Sequence, residues 1–114
     1  MDKGDRAMRI ATKLVVLVCF GLVTIDAQAQ QSRSDSGRKF AQANCAPCHA
    51  VGPIGESPLR IAPPFRTLHL RYPVEDLAES LAEGITTAHA AMPQFKLDVA
   101  QIEDLIAYLK SLER

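Results

Sequence analysis

Cys45-Ala46-Pro47-Cys48-His49 constrains this chain more than any other stretch of it. Two thiols three positions apart, with an imidazole directly after the second, form the attachment signature of a c-type haem. The spacing has a chemical reason. Each thiol can add across one vinyl group of a porphyrin, giving two thioethers. The histidine that follows then lies under the iron, where its imidazole coordinates axially. Two other chemistries use paired cysteines. A thioredoxin-like redox pair expects a βαβ context, and the sequence offers none. A structural zinc site takes four ligands, usually as two spaced pairs. The only other cysteine, Cys19, lies in an N-terminal segment expected to be removed. The pentapeptide therefore implies one covalently attached haem c, held through Cys45 and Cys48, with His49 as an iron ligand.

A porphyrin would also supply apolar area that the chain lacks. The 114 residues suffice for one small domain, with no tryptophan and only six aromatics. Formal net charge is zero, so no global basic field points to nucleic acid. There is no glycine-rich phosphate loop and no Ser-His-Asp set.

Residues 1–29 read as a signal peptide. Lys3, Arg6, Arg9 and Lys13 make a positive start, diluted by Asp2 and Asp5. Leu14 to Ile25 is a twelve-residue apolar run, and Ala27-Gln28-Ala29 is a small-x-small cleavage site. That is the three-part pattern of export. The run is short for a retained anchor, since a spanning helix takes about 20 apolar residues. Leu17-Val18 before Cys19 does not suit a lipoprotein site. Cleavage after Ala29 is expected, with no membrane span left. Export also suits the haem motif, because haem c is assembled outside the cytoplasm. The periplasm is the expected location.

The expected mature chain is residues 30–114, with nine Lys and Arg against ten Asp and Glu, a formal charge of −1. Residues 30–35 read as a polar, frayed lead-in, and 36–114 as the domain. The first helix is expected from about Ser36 to Ala46, with Ser34 or Ser36 as N-cap and Pro47 helping to stop it. The second is expected from Pro73 to Glu83. Pro73 suits a first helical position, Glu75 and Asp76 favour its positive end, and Gly84 suits the residue past its end. Leu77, Ala78, Leu81 and Ile85 form its apolar stripe. The third is expected from Val99 to Leu112. Asp98 and Gln101 resemble a capping box, and Leu97 and Ile102 fall at the positions of a hydrophobic staple. Ile102, Leu105, Ile106 and Leu109 trace one buried face. Ala50 to Tyr72, rich in proline and glycine, reads as a loop wrapped against something, with a short turn near Phe65 to Leu68. No strand pattern and no repeat is visible, so the fold class is all-α.

Iron held by His49 on one face needs a ligand, water or a vacancy on the other. His69, His89 and Met92 are the candidates downstream. Met92 precedes Pro93 and lies between the second and third helices. Taken alone it could be a flexible core residue, but Met/His ligation is the pairing of cytochromes c and raises the reduction potential. His89, three residues away, could compete, and His69 reads more simply as a histidine at a loop edge.

From Ser36 to Leu112 the chain resembles a monohaem class I cytochrome c of the short bacterial type. Cys45, Cys48 and His49 match the thioether cysteines and the proximal ligand, and Met92-Pro93 resembles the distal methionine segment. Gly37, eight residues before Cys45, matches the glycine at which the first and last helices cross. Tyr108, with Leu105 three before it, matches the aromatic of the last helix. Pro63 resembles the loop proline whose carbonyl accepts the proximal histidine's ring hydrogen, a bond that fixes ring orientation and raises ligand basicity. Two features depart from the family. The aromatic often found four residues before the first cysteine is replaced by Ala41, with Phe40 one earlier. No tryptophan is available for a haem propionate. Arg71 falls where mitochondrial-type members bind one, though an ordinary solvated arginine is the simpler reading.

The resemblance implies a three-helix cytochrome c fold around haem c and a periplasmic carrier of single electrons. With both axial positions filled, no site is open to substrate, so an enzyme is not expected. Redox partner proteins are expected, nucleic acid is not, and the protein should be a monomer. A dedicated electron-acceptor subunit of a periplasmic dehydrogenase or oxidase is the alternative. A haem enzyme or gas binder would need an open sixth position.

Overall fold

The computed structural model describes residues 26–84 and 91–113. The cations Lys3, Arg6, Arg9 and Lys13, the apolar run with Cys19, and Ile85 and His89 lie outside the described residues. Two compact units divide the chain, 1–31 and 32–114. In the first, residues 26–31 are helical and exposed. No helix among the described residues is long and apolar enough to cross a membrane.

Among the described residues, the second unit has three α-helices: α1 over residues 32–44, α2 over Leu77–Glu83 and α3 over Val99–Ser111. Short 3-10 helices at Phe65–Leu70 and Val74–Asp76 lie between α1 and α2. There is no strand among the described residues. The three expected helices are all present, with shifted boundaries.

The start of α1 is the largest shift. Residues 30–35, expected to fray, are helical, and Ser34 and Ser36 lie inside the helix instead of capping it. The cause is tertiary. Arg33 forms an ion pair with Glu103 of α3, N to O 2.5 Å, and Ser34 is buried. Packing against a neighbour, more than local propensity, holds most short helices. At its other end α1 stops at residue 44, two short of the expected Ala46. The chain then winds on as a turn. Cys45 and Ala46 both donate to the Ala41 carbonyl, at 2.8 and 3.1 Å, and Cys48 and His49 both donate to that of Cys45, at 3.1 and 2.9 Å. Pro47 has no N–H to continue the helical ladder.

Gly37 sets how closely α1 meets α3. A Cβ there would lie 1.9 Å from the Asp104 carbonyl oxygen and 2.9 Å from the Tyr108 Cβ. Only a residue without a side chain permits that approach. The α3 helix is capped as its sequence suggests. Asp98 accepts from the Gln101 backbone N–H at 2.8 Å, and the Gln101 side chain accepts from the Asp98 N–H at 3.1 Å. Leu97 and Ile102, the staple pair, are both buried in one core. Leu105, Ala107, Tyr108 and Leu109 are buried too, while Ile106 is half-buried.

Pro73 precedes a 3-10 turn instead of opening α2, which therefore begins at Leu77. Gly84 follows α2 with φ of +99°, a conformation glycine adopts at no steric cost. Leu81 is buried, and Leu77 and Ala78 pack against the same core. The turn expected near Phe65 is the first 3-10 helix, and it buries Phe65 and Leu68.

Candidate haem site

Cys45 and Cys48 leave the end of α1 on the turn just described, and His49 follows in the same winding. All three line one cavity of about 270 Å³. Its walls are mostly apolar: Phe40 from α1, Phe65 and Leu68 from the 3-10 helix, Leu81 from α2, and Leu105 and Leu109 from α3. Each helix thus contributes one face to the same space. Among the described lining residues there is no carboxylate, and Arg71 carries the one formal charge.

His49 is oriented from behind. Its Nδ1 lies 2.8 Å from the Pro63 carbonyl oxygen. A carbonyl can only accept, so Nδ1 carries the hydrogen and donates it. That tautomer leaves the lone pair on Nε2, the nitrogen then able to ligate a metal. The Phe65 ring packs against the imidazole at a centroid distance of 5.2 Å and a tilt of 50°.

Further bonds hold the loop that carries His49. Leu59 donates to the Cys48 carbonyl at 3.1 Å, and Phe65 donates to that of Ala50 at 3.0 Å. The Ala50 N–H donates to Ser57 Oγ at 3.0 Å, and the Tyr108 hydroxyl donates to the Val51 carbonyl at 2.7 Å. These contacts clamp both sides of the ligand. Ser57 and Phe65 were not legible as supports in the sequence. Neither stands in a motif, and their partners depend on how the loop folds back.

Both cysteines are free thiols here, standing for the thioether sulfurs of the attached form. Burial, and secondarily the neighbouring Cys48, pushes the Cys45 thiol up to about 11. It is un-ionised at neutral pH.

The three candidates for the sixth position part company. Met92, half-buried, lines the cavity that His49 lines, and so does Pro93. His69 does not line it; its Nδ1 is buried without a hydrogen-bond partner. His89 lies outside the described residues. Ala41 is fully buried in the core, whereas Phe40 lines the cavity. The displaced aromatic of α1 thus reaches the cavity, and the small residue beside it fills the core.

Paired thiols, an imidazole with its outer nitrogen already hydrogen-bonded, a thioether and apolar walls make a donor set and a surface that fit a haem. These features define a helical protein that binds haem covalently. The cytochrome c family profile matches residues 34–113, and the chain belongs to that family, as a monohaem class I cytochrome c with covalently attached haem c. A cytochrome c-553-like protein of Synechocystis sp. is 27% identical over 108 residues, which span 90% of this chain and 96% of that one. No solved structure matches the chain significantly. The chain is an electron-transfer haem protein.

Proposed function

We propose that this protein is a periplasmic carrier of single electrons, in which His49 and Met92 would hold the iron of the attached haem. The observation that carries the reading is that both side chains line one cavity while the Pro63 carbonyl fixes the His49 tautomer. Cys45 and Cys48 would anchor the porphyrin, His49 Nε2 and the Met92 sulfur would ligate, and the bound haem would supply a one-electron iron couple. The chain's own residues do the rest. The Pro63 carbonyl accepts the hydrogen bond from Nδ1–H and keeps the imidazole basic. Phe65, Leu68 and Leu105 line the cavity and would keep water from a bound haem, which would favour the less charged ferrous state. Met92 offers a soft sulfur donor, which acts in the same direction. With His49 and Met92 both ligating, no coordination site would be open to a substrate.

Residues 1–29 are proposed as a signal peptide cleaved after Ala29, and the mature protein as a monomer. Ala27 and Ala29 are exposed. Intact mass of protein recovered from the periplasm tests maturation and attachment together. The expected mass is that of residues 30–114 plus one haem. A haem extractable by acidified organic solvent from otherwise intact protein would rule out the thioethers.

A further inference from the structure

Cleavage after Ala29 would have a chemical consequence far from the haem cavity. It would make Gln30 the first residue of the mature chain. A glutamine at that place carries its own electrophile. Its α-nitrogen and its side-chain amide carbon are joined through Cα, Cβ and Cγ, so attack of one on the other closes a five-membered lactam. Inside the precursor the same nitrogen is a peptide nitrogen and does not attack. Export therefore creates the reactive pair. The amine attacks only when neutral, and a terminal amine titrates at about 7.7–8.0, which leaves an appreciable neutral share near pH 7.

The structure leaves this end accessible. Residues 26–33 are all exposed, and Ser34 is the first buried residue after them. The ion pair of Arg33 with Glu103 and the burial of Ser34 secure the chain from position 33 onward, so Gln30 lies ahead of everything that is packed. Gln30 is itself helical. The first N–H groups of a helix have no acceptor within it. As the first residue, Gln30 would lose no helical hydrogen bond when its nitrogen joins a ring. A terminal ammonium is also unfavourable at the positive end of a helix, and the lactam removes that charge.

We propose that Gln30 is a modification site, and that the mature protein begins with pyroglutamate. The α-nitrogen bonds to the side-chain carbonyl carbon. The bond from that carbon to the amide nitrogen breaks, and ammonia leaves with one hydrogen taken from the α-amine. Nothing is oxidised or reduced, and no co-reactant is consumed. The proposal rests on the cleavage reading, since only a cut before residue 30 frees the amine. The product has no terminal cation, and it offers no free α-amine to an aminopeptidase.

Mass spectrometry of the haem-loaded protein, freshly recovered from the periplasm, tests this. The lactam lowers the mass expected of the mature chain by one ammonia, to that of residues 30–114 plus one haem less the ammonia. Trypsin should release Gln30 to Arg33 as a fragment that carries the whole deficit. Edman degradation should yield nothing until pyroglutamyl aminopeptidase has removed the first residue, and should then begin at Gln31. Gln30→Ser, which has no amide to lose, should show the full mass and an open amine with an unchanged visible spectrum. Full mass for residues 30–114 in the parent, with sequencing that begins at Gln30, overturns the proposal and leaves the cleavage reading standing. A deficit that persists in Gln30→Ser places the loss of ammonia elsewhere in the chain and also overturns it. A mature protein that begins at any other residue defeats the cleavage reading, and the proposal with it.

Discussion

At Gly37 a single hydrogen decides whether two helices can meet. Alanine there would place its Cβ 1.9 Å from the Asp104 carbonyl oxygen, a backbone atom that cannot swing away. The helical preference of alanine returns about 1 kcal/mol, but forcing α1 off α3 costs more. Gly37→Ala should lower stability by about 2 kcal/mol net or more, read from the denaturant midpoint of the haem-loaded protein. Tyr108 joins α3 to the residue after Ala50 through its hydroxyl. Tyr108→Phe should cost about 1 kcal/mol for the lost bond. Burial pushes the Tyr108 phenol above its ordinary value, with the Arg38 charge opposing. The folded chain therefore keeps this proton where the unfolded chain, titrating at about 10, loses it. Stability should be full below about pH 10 and fall as pH rises from there through the folded value. Tyr108→Phe should lack that component of the decline, which denaturation at a series of alkaline pH values would show.

The elements differ in how far their own sequence specifies them. For α3 the specification is local. Asp98 and Gln101 close the capping box, and Ile102, Leu105 and Leu109 repeat at helical spacing, so its boundaries were legible to one residue. Asp98→Ala should destabilise by about 1 kcal/mol while the Asp98 N–H keeps its bond to Gln101, measured by thermal or denaturant unfolding. The start of α1 was not legible, because the Arg33–Glu103 pair that secures it spans seventy positions. The 3-10 turn ahead of α2 was missed because Pro73 fits the start of either kind of helix. In the candidate site, the pentapeptide and Met92 could be read from motif and position, and Pro63 and Gly37 from family likeness. The bonds to Ser57 and from Tyr108 could not, because their donor and acceptor partners carry no side-chain signature. They are backbone groups of Ala50 and Val51.

For the whole molecule, the haem is expected to be part of the fold. The helices wrap a cavity whose walls include core residues such as Leu81, Leu105 and Leu109, and α2 is only seven residues long. A helix that short does not persist alone. Filling of the cavity should then supply much of the folding free energy. Cys45→Ser/Cys48→Ser protein made without haem should be largely unfolded by circular dichroism. A cooperative thermal transition from near-native helix content would contradict that. The central claim is that His49 and Met92 hold the iron between them. Far-red absorption of the ferric protein, recorded for the parent and Met92→Ala side by side, tests it most directly. The account predicts a sulfur-to-iron band in the parent and none in the variant, with the thioethers intact in both and a lower reduction potential in the variant. A band that persists in Met92→Ala, or one absent from the parent, would show that methionine is not the ligand.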